Sequence, residues 1–194
     1  MKRNNFKEIE ERCKNYMTSL LYNHRNNGHG DDHSLRVLSN AMKIAKGYSC
    51  NMEVVTLVAL LHDVDDHKLF NTVDNANARK FLVAEGIASE TIEEICEAIN
   101  AISFTHGQTP KTIEGKIVQD ADCLDAIGAI GIARAFAYGG SIGNNLSDTV
   151  QHFNNKLLKL KGMMNTPEAI KEAELRHEEM VNFLSRLIIE GGDI

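Results

Sequence analysis

No apolar run in this 194-residue chain approaches the roughly 20 residues that a membrane-spanning helix needs, so an integral membrane protein is not expected. There is no CxxC pair either. The four cysteines, Cys13, Cys50, Cys96 and Cys123, stand far apart, which gives neither a structural zinc site nor a disulfide scaffold and fits free thiols in a reducing compartment. Linkers rich in Pro, Gly or Ser are lacking, as are internal repeats and low-complexity tracts, and 1–194 is expected to be one domain around one core. The N-terminal stretch MKRNNFKEIEERCKNYM is charged and amphipathic without the apolar centre of a signal peptide, and the expected location is cytoplasmic. Positive charge is in deficit: 21 Lys and Arg against 27 Asp and Glu leave a formal net charge of −6, and the basic residues are scattered. That balance argues against a nucleic-acid partner and leaves room for a local basic pocket that takes a small phosphorylated ligand. Nothing in the sequence sets an oligomeric state.

What is present is helical periodicity, with no convincing two-residue alternation that would mark a strand, so the fold class is all-α. A first helix is expected over about 4–24, with Phe6, Ile9, Cys13, Met17, Leu20 and Leu21 on one face, ending in the loop Asn26 to Gly30. Asp31 or Asp32 then caps a second helix that stops near Gly47 and carries His33 in its first turn. The third, about 51–64, is apolar nearly all round, as a helix enclosed by others must be, and His62 and Asp63 end it. Helices over about 74–85 and 89–103 follow, the latter capped by Ser89, and a loop with Gly107 and Pro110 comes next. The segment from Ile113 to Tyr138 has one apolar pattern, with Gly128 and Gly131 permitting close approach or a break, and Asp122 is embedded in it. Residues 139–145 read as a mobile, glycine-rich lid. A helix near 147–161 precedes a last one opened by Thr166 as cap and Pro167 at its first position.

His62 and Asp63 are adjacent at the end of the most apolar stretch of the chain, with His33 upstream and Asp120 and Asp122 downstream. With eight His and eleven Asp, roughly half a His-Asp dipeptide is expected by chance, so the pair means little without its context. A core histidine beside a capping aspartate is the simplest structural account of the doublet alone. Imidazoles and carboxylates beside an apolar core are costly unless partnered, and a divalent cation would partner them. The residues lie on separate segments, so only a fold could bring them together.

His33, then Leu60-Leu61-His62-Asp63, then Ala121-Asp122-Cys123-Leu124-Asp125 resemble the signature of the HD-domain superfamily of metal-dependent phosphohydrolases, and the resemblance covers about residues 15–190. The stretches Glu114 to Asp122 and Gly131 to Gly140 are similar to those of its small single-domain bacterial members. The resemblance implies an HD-type helical bundle with a metal-site core over about 15–140, and one divalent ion held by His33, His62, Asp63 and Asp122. Asp120 is the alternative last ligand, or a residue that supports the site. Mn²⁺, Mg²⁺, Co²⁺, Ni²⁺ and Fe²⁺ all suit such donors. The implied activity is attack of a metal-activated water on a phosphate ester or anhydride of a nucleotide or similar small metabolite.

Asp66, three residues past Asp63, occupies the place where related phosphohydrolases often put an acid that handles protons, although Glu is commoner there, and a turn-capping role is the plain alternative. Asp65 reads more readily as a cap. Arg36, one turn beyond His33, can meet substrate phosphate or be a solvated surface residue. Lys68 and Lys116 are weaker candidates for the same task, and Arg134 and Tyr138 either line a pocket or pack. Asp125 is one turn from Asp122, where it could accept a hydrogen bond from a ribose hydroxyl. A di-iron oxygenase on the same scaffold would need His67 or His106 as a further ligand, and a nucleotide sensor without catalysis would use the same site for binding alone. His24, His29, His152 and His177 read as surface residues, and Met163-Met164 as helix-end packing.

Overall fold

The computed structural model describes residues 3–23, 30–102 and 108–192. Among these there are nine α-helices and no strand, in the order α1 (Arg3–Leu21), α2 (Asp31–Ile44), α3 (Met52–Leu61), α4 (Ala76–Ala84), α5 (Ser89–Ile102), α6 (Ile113–Asp125), α7 (Gly128–Ser141), α8 (Leu146–Asn155) and α9 (Pro167–Gly191). His24, His29, His106 and the loop expected around Gly107 fall outside the described residues. The chain forms two compact units, Met1–Gln119 and Asp120–Ile194, and the boundary falls inside the unbroken α6.

In the first unit α3 packs against α1, α2 and α5. Every residue from Val54 to Leu61 is buried, which explains why this segment is apolar on all sides. The facing stripes are Ile9, Cys13, Met17 and Leu21 of α1, Val37, Leu38, Ala41 and Ile44 of α2, and Ile92, Ile95, Cys96, Ile99 and Ile102 of α5. Each large apolar side chain so enclosed contributes about 1.5–3 kcal/mol. Asn51 caps α3 by accepting from the backbone N–H groups of Glu53 and Val54, while its own N–H donates to Glu114 Oε1 at 2.8 Å. Gln119, the last residue of the unit, donates from Nε2 to the carbonyls of Ala101 and Gln108 at 2.9 and 2.8 Å.

In the second unit α7 packs on α8 and α9, and a 3₁₀ segment, Leu157–Met163, packs on both α8 and α9. Phe153 is fully buried with Phe136 against it at 5.8 Å, and Phe136 meets Phe183 edge-on at 5.7 Å. The segment expected over 113–138 is interrupted after Asp125. Gly128 adopts a φ of +73°, and a Cβ there would come within 2.9 Å of the Arg176 side chain. Residues 139–145 are not one loop: α7 continues through Ser141, Gly139 is buried, and a capping box between Asn145 and Asp148 opens α8. Thr166 caps α9 with Pro167 at its start, as expected. None of the described helices is long and apolar enough to cross a membrane.

Candidate metal centre

Two helices of the first unit deliver three donor groups to one place. His33 lies in the first turn of α2, where its backbone N–H closes that turn on Gly30 O at 3.0 Å. His62 is the C-cap of α3, and Asp63 follows it into a turn. The α2 and α3 helices pack together, so the beginning of one brings His33 to the end of the other. His33 Nε2 lies 3.3 Å from His62 Nε2. The Asp63 carboxylate is against both rings, Oδ2 at 3.5 Å from His33 Nε2 and Oδ1 at 3.6 Å from His62 Nε2. The side chains of His33, His62 and Asp63 are 4%, 3% and 9% exposed, so the cluster is largely withdrawn from solvent.

The tautomer of His62 follows from its other nitrogen. Nδ1–H donates to Ala59 O at 2.9 Å, which leaves the lone pair of a neutral ring on Nε2, facing His33 and Asp63. Fixing one ring nitrogen on a backbone carbonyl so that the other presents a lone pair is how metal-binding histidines are held. Two imidazole nitrogens and a carboxylate converging at this spacing form a donor set that fits a divalent cation.

Asp122 lies on the third turn of α6 and belongs to the second unit. Asp120, two residues earlier, is fully buried and committed elsewhere: Oδ1 accepts from the backbone N and Nδ2 of Asn165, both at 2.8 Å, and Oδ2 accepts from the backbone N of Thr166 at 2.8 Å and its hydroxyl at 2.6 Å. Four donors occupy both oxygens of Asp120. Asp125 is buried, and its Oδ2 and backbone carbonyl both accept from Arg134 Nη1. Sequence pattern alone suggested neither partnership.

Asp66 organises a turn, with Oδ1 accepting from Lys68 N at 2.8 Å and its carbonyl accepting from Leu69 and Phe70 N–H, both at 2.9 Å. Asp65 caps α4 across a gap in sequence: Oδ1 and Oδ2 accept from the N–H groups of Asn77 at 3.0 Å and Ala78 at 2.9 Å. The Asn77 side chain returns a bond to Val64 O at 2.8 Å. Arg36, one turn after His33 on α2, pairs with Asp32 at 2.6 Å and is half-buried. His67 and Lys68 are exposed, Lys116 is half-buried and Tyr138 is exposed. His152 is exposed as expected, but His177 is half-buried, and its buried Nδ1 has no hydrogen-bond partner. All four cysteines are free, and burial raises the thiol pKa of Cys13, Cys96 and Cys123, that of Cys96 to about 11.

An all-α chain with a histidine at the start of one helix and a His-Asp doublet ending the helix packed on it has the hallmarks of one family, and residues 30–127 match the HD domain family. The chain belongs to the HD-domain family. It is 38% identical over 187 residues to the Bacillus subtilis protein YpgQ, with 91% of each chain covered. Its structure is similar to that of B. subtilis YpgQ in complex with ADP, with a TM-score of 0.85 at 34% identity and 98% of each chain covered. It also resembles an HD-superfamily hydrolase from Bacillus thuringiensis, with a TM-score of 0.79 at 32% identity, covering 97% of this chain and all of that one. Within that family the chain is of the YpgQ type, with a candidate metal centre, and its solved relatives include an HD-superfamily hydrolase.

Proposed function

We propose that this protein is a metal-dependent phosphohydrolase that cleaves a phosphate ester or anhydride bond of a nucleotide. The observation that carries the reading is the convergence of His33, His62 and Asp63, with the orientation of the His62 ring set by its bond to Ala59 O. In this reading one divalent cation, Mn²⁺, Mg²⁺, Co²⁺, Ni²⁺ or Fe²⁺, would be held by His33, His62, Asp63 and Asp122. Asp122 is preferred over Asp120 as the last ligand because the oxygens of Asp120 are taken by Asn165 and Thr166. The cation supplies Lewis acidity, which acidifies water and offsets charge on a phosphoryl oxygen.

The protein's own groups do the rest. The carbonyl of Ala59 holds the His62 ring with its Nε2 lone pair turned toward His33 and Asp63, so this donor needs no reorganisation before substrate arrives. Asp66 is assigned proton transfer, with its carboxyl oriented by Lys68 N–H. Arg36 is assigned to substrate phosphate, and it must exchange its bond to Asp32 to serve. The ADP bound by YpgQ supports a nucleotide as the ligand class. The reading treats 1–194 as one catalytic domain with its metal core over about 15–140, and four free thiols agree with a cytoplasmic setting.

The test is release of phosphate and pyrophosphate from a panel of nucleoside mono- and triphosphates, with Mn²⁺, Mg²⁺ and Co²⁺ each added to metal-stripped protein. Turnover that requires metal and disappears in Asp63→Ala is expected, and the product identifies the bond. Absence of turnover with every combination would overturn the nucleotide assignment, and metal-independent turnover would overturn the mechanism.

A further inference from the structure

Asp120 is an ionisable group with no exposed surface, and the mechanism proposed above makes no use of it. A buried carboxylate is costly unless its oxygens are satisfied, and here four donors satisfy them, all from the adjacent pair Asn165 and Thr166. Those two residues lead directly into α9: Thr166 is its N-cap, and Thr166 Oγ1 also accepts from Ala169 N at 3.4 Å. The carboxylate thus sits where the partial positive charge of a 25-residue helix is greatest. The position on α6 is equally specific. Asp120 and Asp122 share one turn, and beyond them Arg176 Nη1 donates to Leu124 O at 2.7 Å. This turn is therefore fastened on both sides of Asp122, by a carboxylate before it and by a capped carbonyl after it.

We infer that Asp120 is a positioning residue for metal binding, fixing the turn of α6 that carries Asp122 by clamping it to the Asn165-Thr166 entrance of α9. This rests on Asp122 being a metal ligand, as proposed above. A short carboxylate reaches a metal only from a narrow range of backbone positions, and loss of residues that hold a ligand in place typically lowers metal affinity about 10–100-fold. The clamp acts on the ligand's backbone, so it should set affinity for the cation and leave the chemistry of the bound substrate untouched.

The experiment is titration of metal-stripped full-length protein with Mn²⁺ by calorimetry, at a temperature well below unfolding, for wild type, Asp122→Ala, Thr166→Val, Thr166→Ser and Asp120→Asn. Thr166→Val deletes the hydroxyl that donates to Oδ2, Thr166→Ser retains it, and Asp120→Asn turns an acceptor into a donor facing an N–H. The expected result is Mn²⁺ affinity about tenfold weaker in Thr166→Val, restored in Thr166→Ser, and at least as weak in Asp120→Asn. Thermal unfolding of the same metal-free samples gives the structural contribution separately. A lowered melting temperature with unchanged Mn²⁺ affinity in Thr166→Val would overturn the inference and leave the metal site standing. Unchanged affinity in Asp122→Ala, or no Mn²⁺ binding by wild type, would overturn the ligand assignment itself and the inference with it. Should Asp120→Asn fail to fold, the pair of Thr166 variants decides.

Discussion

The imidazole nitrogens of His33 and His62 meet at 3.3 Å although the residues belong to different helices, one in the first turn of α2 and the other at the C-cap of α3. Neither helix brings both rings, and the arrangement exists because α2 and α3 pack with these ends together. His62→Ala removes one donor and the anchoring bond to Ala59 O, and leaves the buried face of α3 intact. Mn²⁺ affinity should fall by more than the about 100-fold that loss of a supporting residue can cost. The metal-free protein should lose only about 1 kcal/mol of stability. Calorimetric titration and urea unfolding in chelator measure the two quantities, and tight Mn²⁺ binding by the variant would remove His62 from the site.

Saturating metal should stabilise the protein by mass action, by about 2.7 kcal/mol when free Mn²⁺ is one hundred times its dissociation constant. Wild type should therefore melt at a higher temperature in Mn²⁺ than in chelator, and Asp63→Ala should melt at the same temperature in both. A metal-dependent shift that survives in Asp63→Ala would place the stabilising ion elsewhere.

Asp65 and Asp63 are close in sequence and should differ in what they do. Asp65 accepts from two backbone N–H groups at the start of α4, so Asp65→Ala should cost about 1 kcal/mol of folding stability through the lost cap. Its Mn²⁺ affinity should stay within about threefold of wild type, less than the tenfold threshold for a supporting residue. Urea unfolding of metal-free protein and the same calorimetric titration distinguish the two aspartates.

His177 is half-buried, and burial together with Lys161 lowers its pKa below the ordinary histidine value of 6.5. The unfolded chain then takes up a proton before the folded one does. The contribution of neutral His177 is present in full above pH 6.5 and is lost as the pH falls through its lower folded value. His177→Leu should narrow the difference in unfolding free energy between pH 8 and pH 5.5, measured in urea with chelator present. An unchanged difference would mean that His177 carries none of the pH dependence.

The buried doublet was legible in the sequence because α3 is enclosed on all sides, and such a helix shows as an apolar run that ends abruptly where polar residues begin. The Asn51 cap of α3 and the Thr166-Pro167 start of α9 differ in legibility. Thr166-Pro167 obeys a local rule, whereas Asn51 also depends on Glu114, 63 residues away. The break between α6 and α7 was only half legible: Gly128 announced that one was allowed, but the Arg176 side chain, which would lie 2.9 Å from a Cβ there, is in no local pattern. The same limit hid the fate of Asp120. A carboxylate two residues from a candidate ligand reads as another candidate until Asn165 and Thr166, 45 and 46 residues on, are found around it. The helix expected near 147–161 ends at Asn155, and the 3₁₀ segment Leu157–Met163 that follows uses similar apolar spacing.

Gln119 gives the chain a practical property. One amide nitrogen holds Ala101 and Gln108 by their carbonyls, so the two ends of the intervening segment are anchored to the same helix independently of what joins them. Gln119→Ala therefore frees two carbonyls at once and unties the C-terminal turn of α5 from α6 with a single substitution.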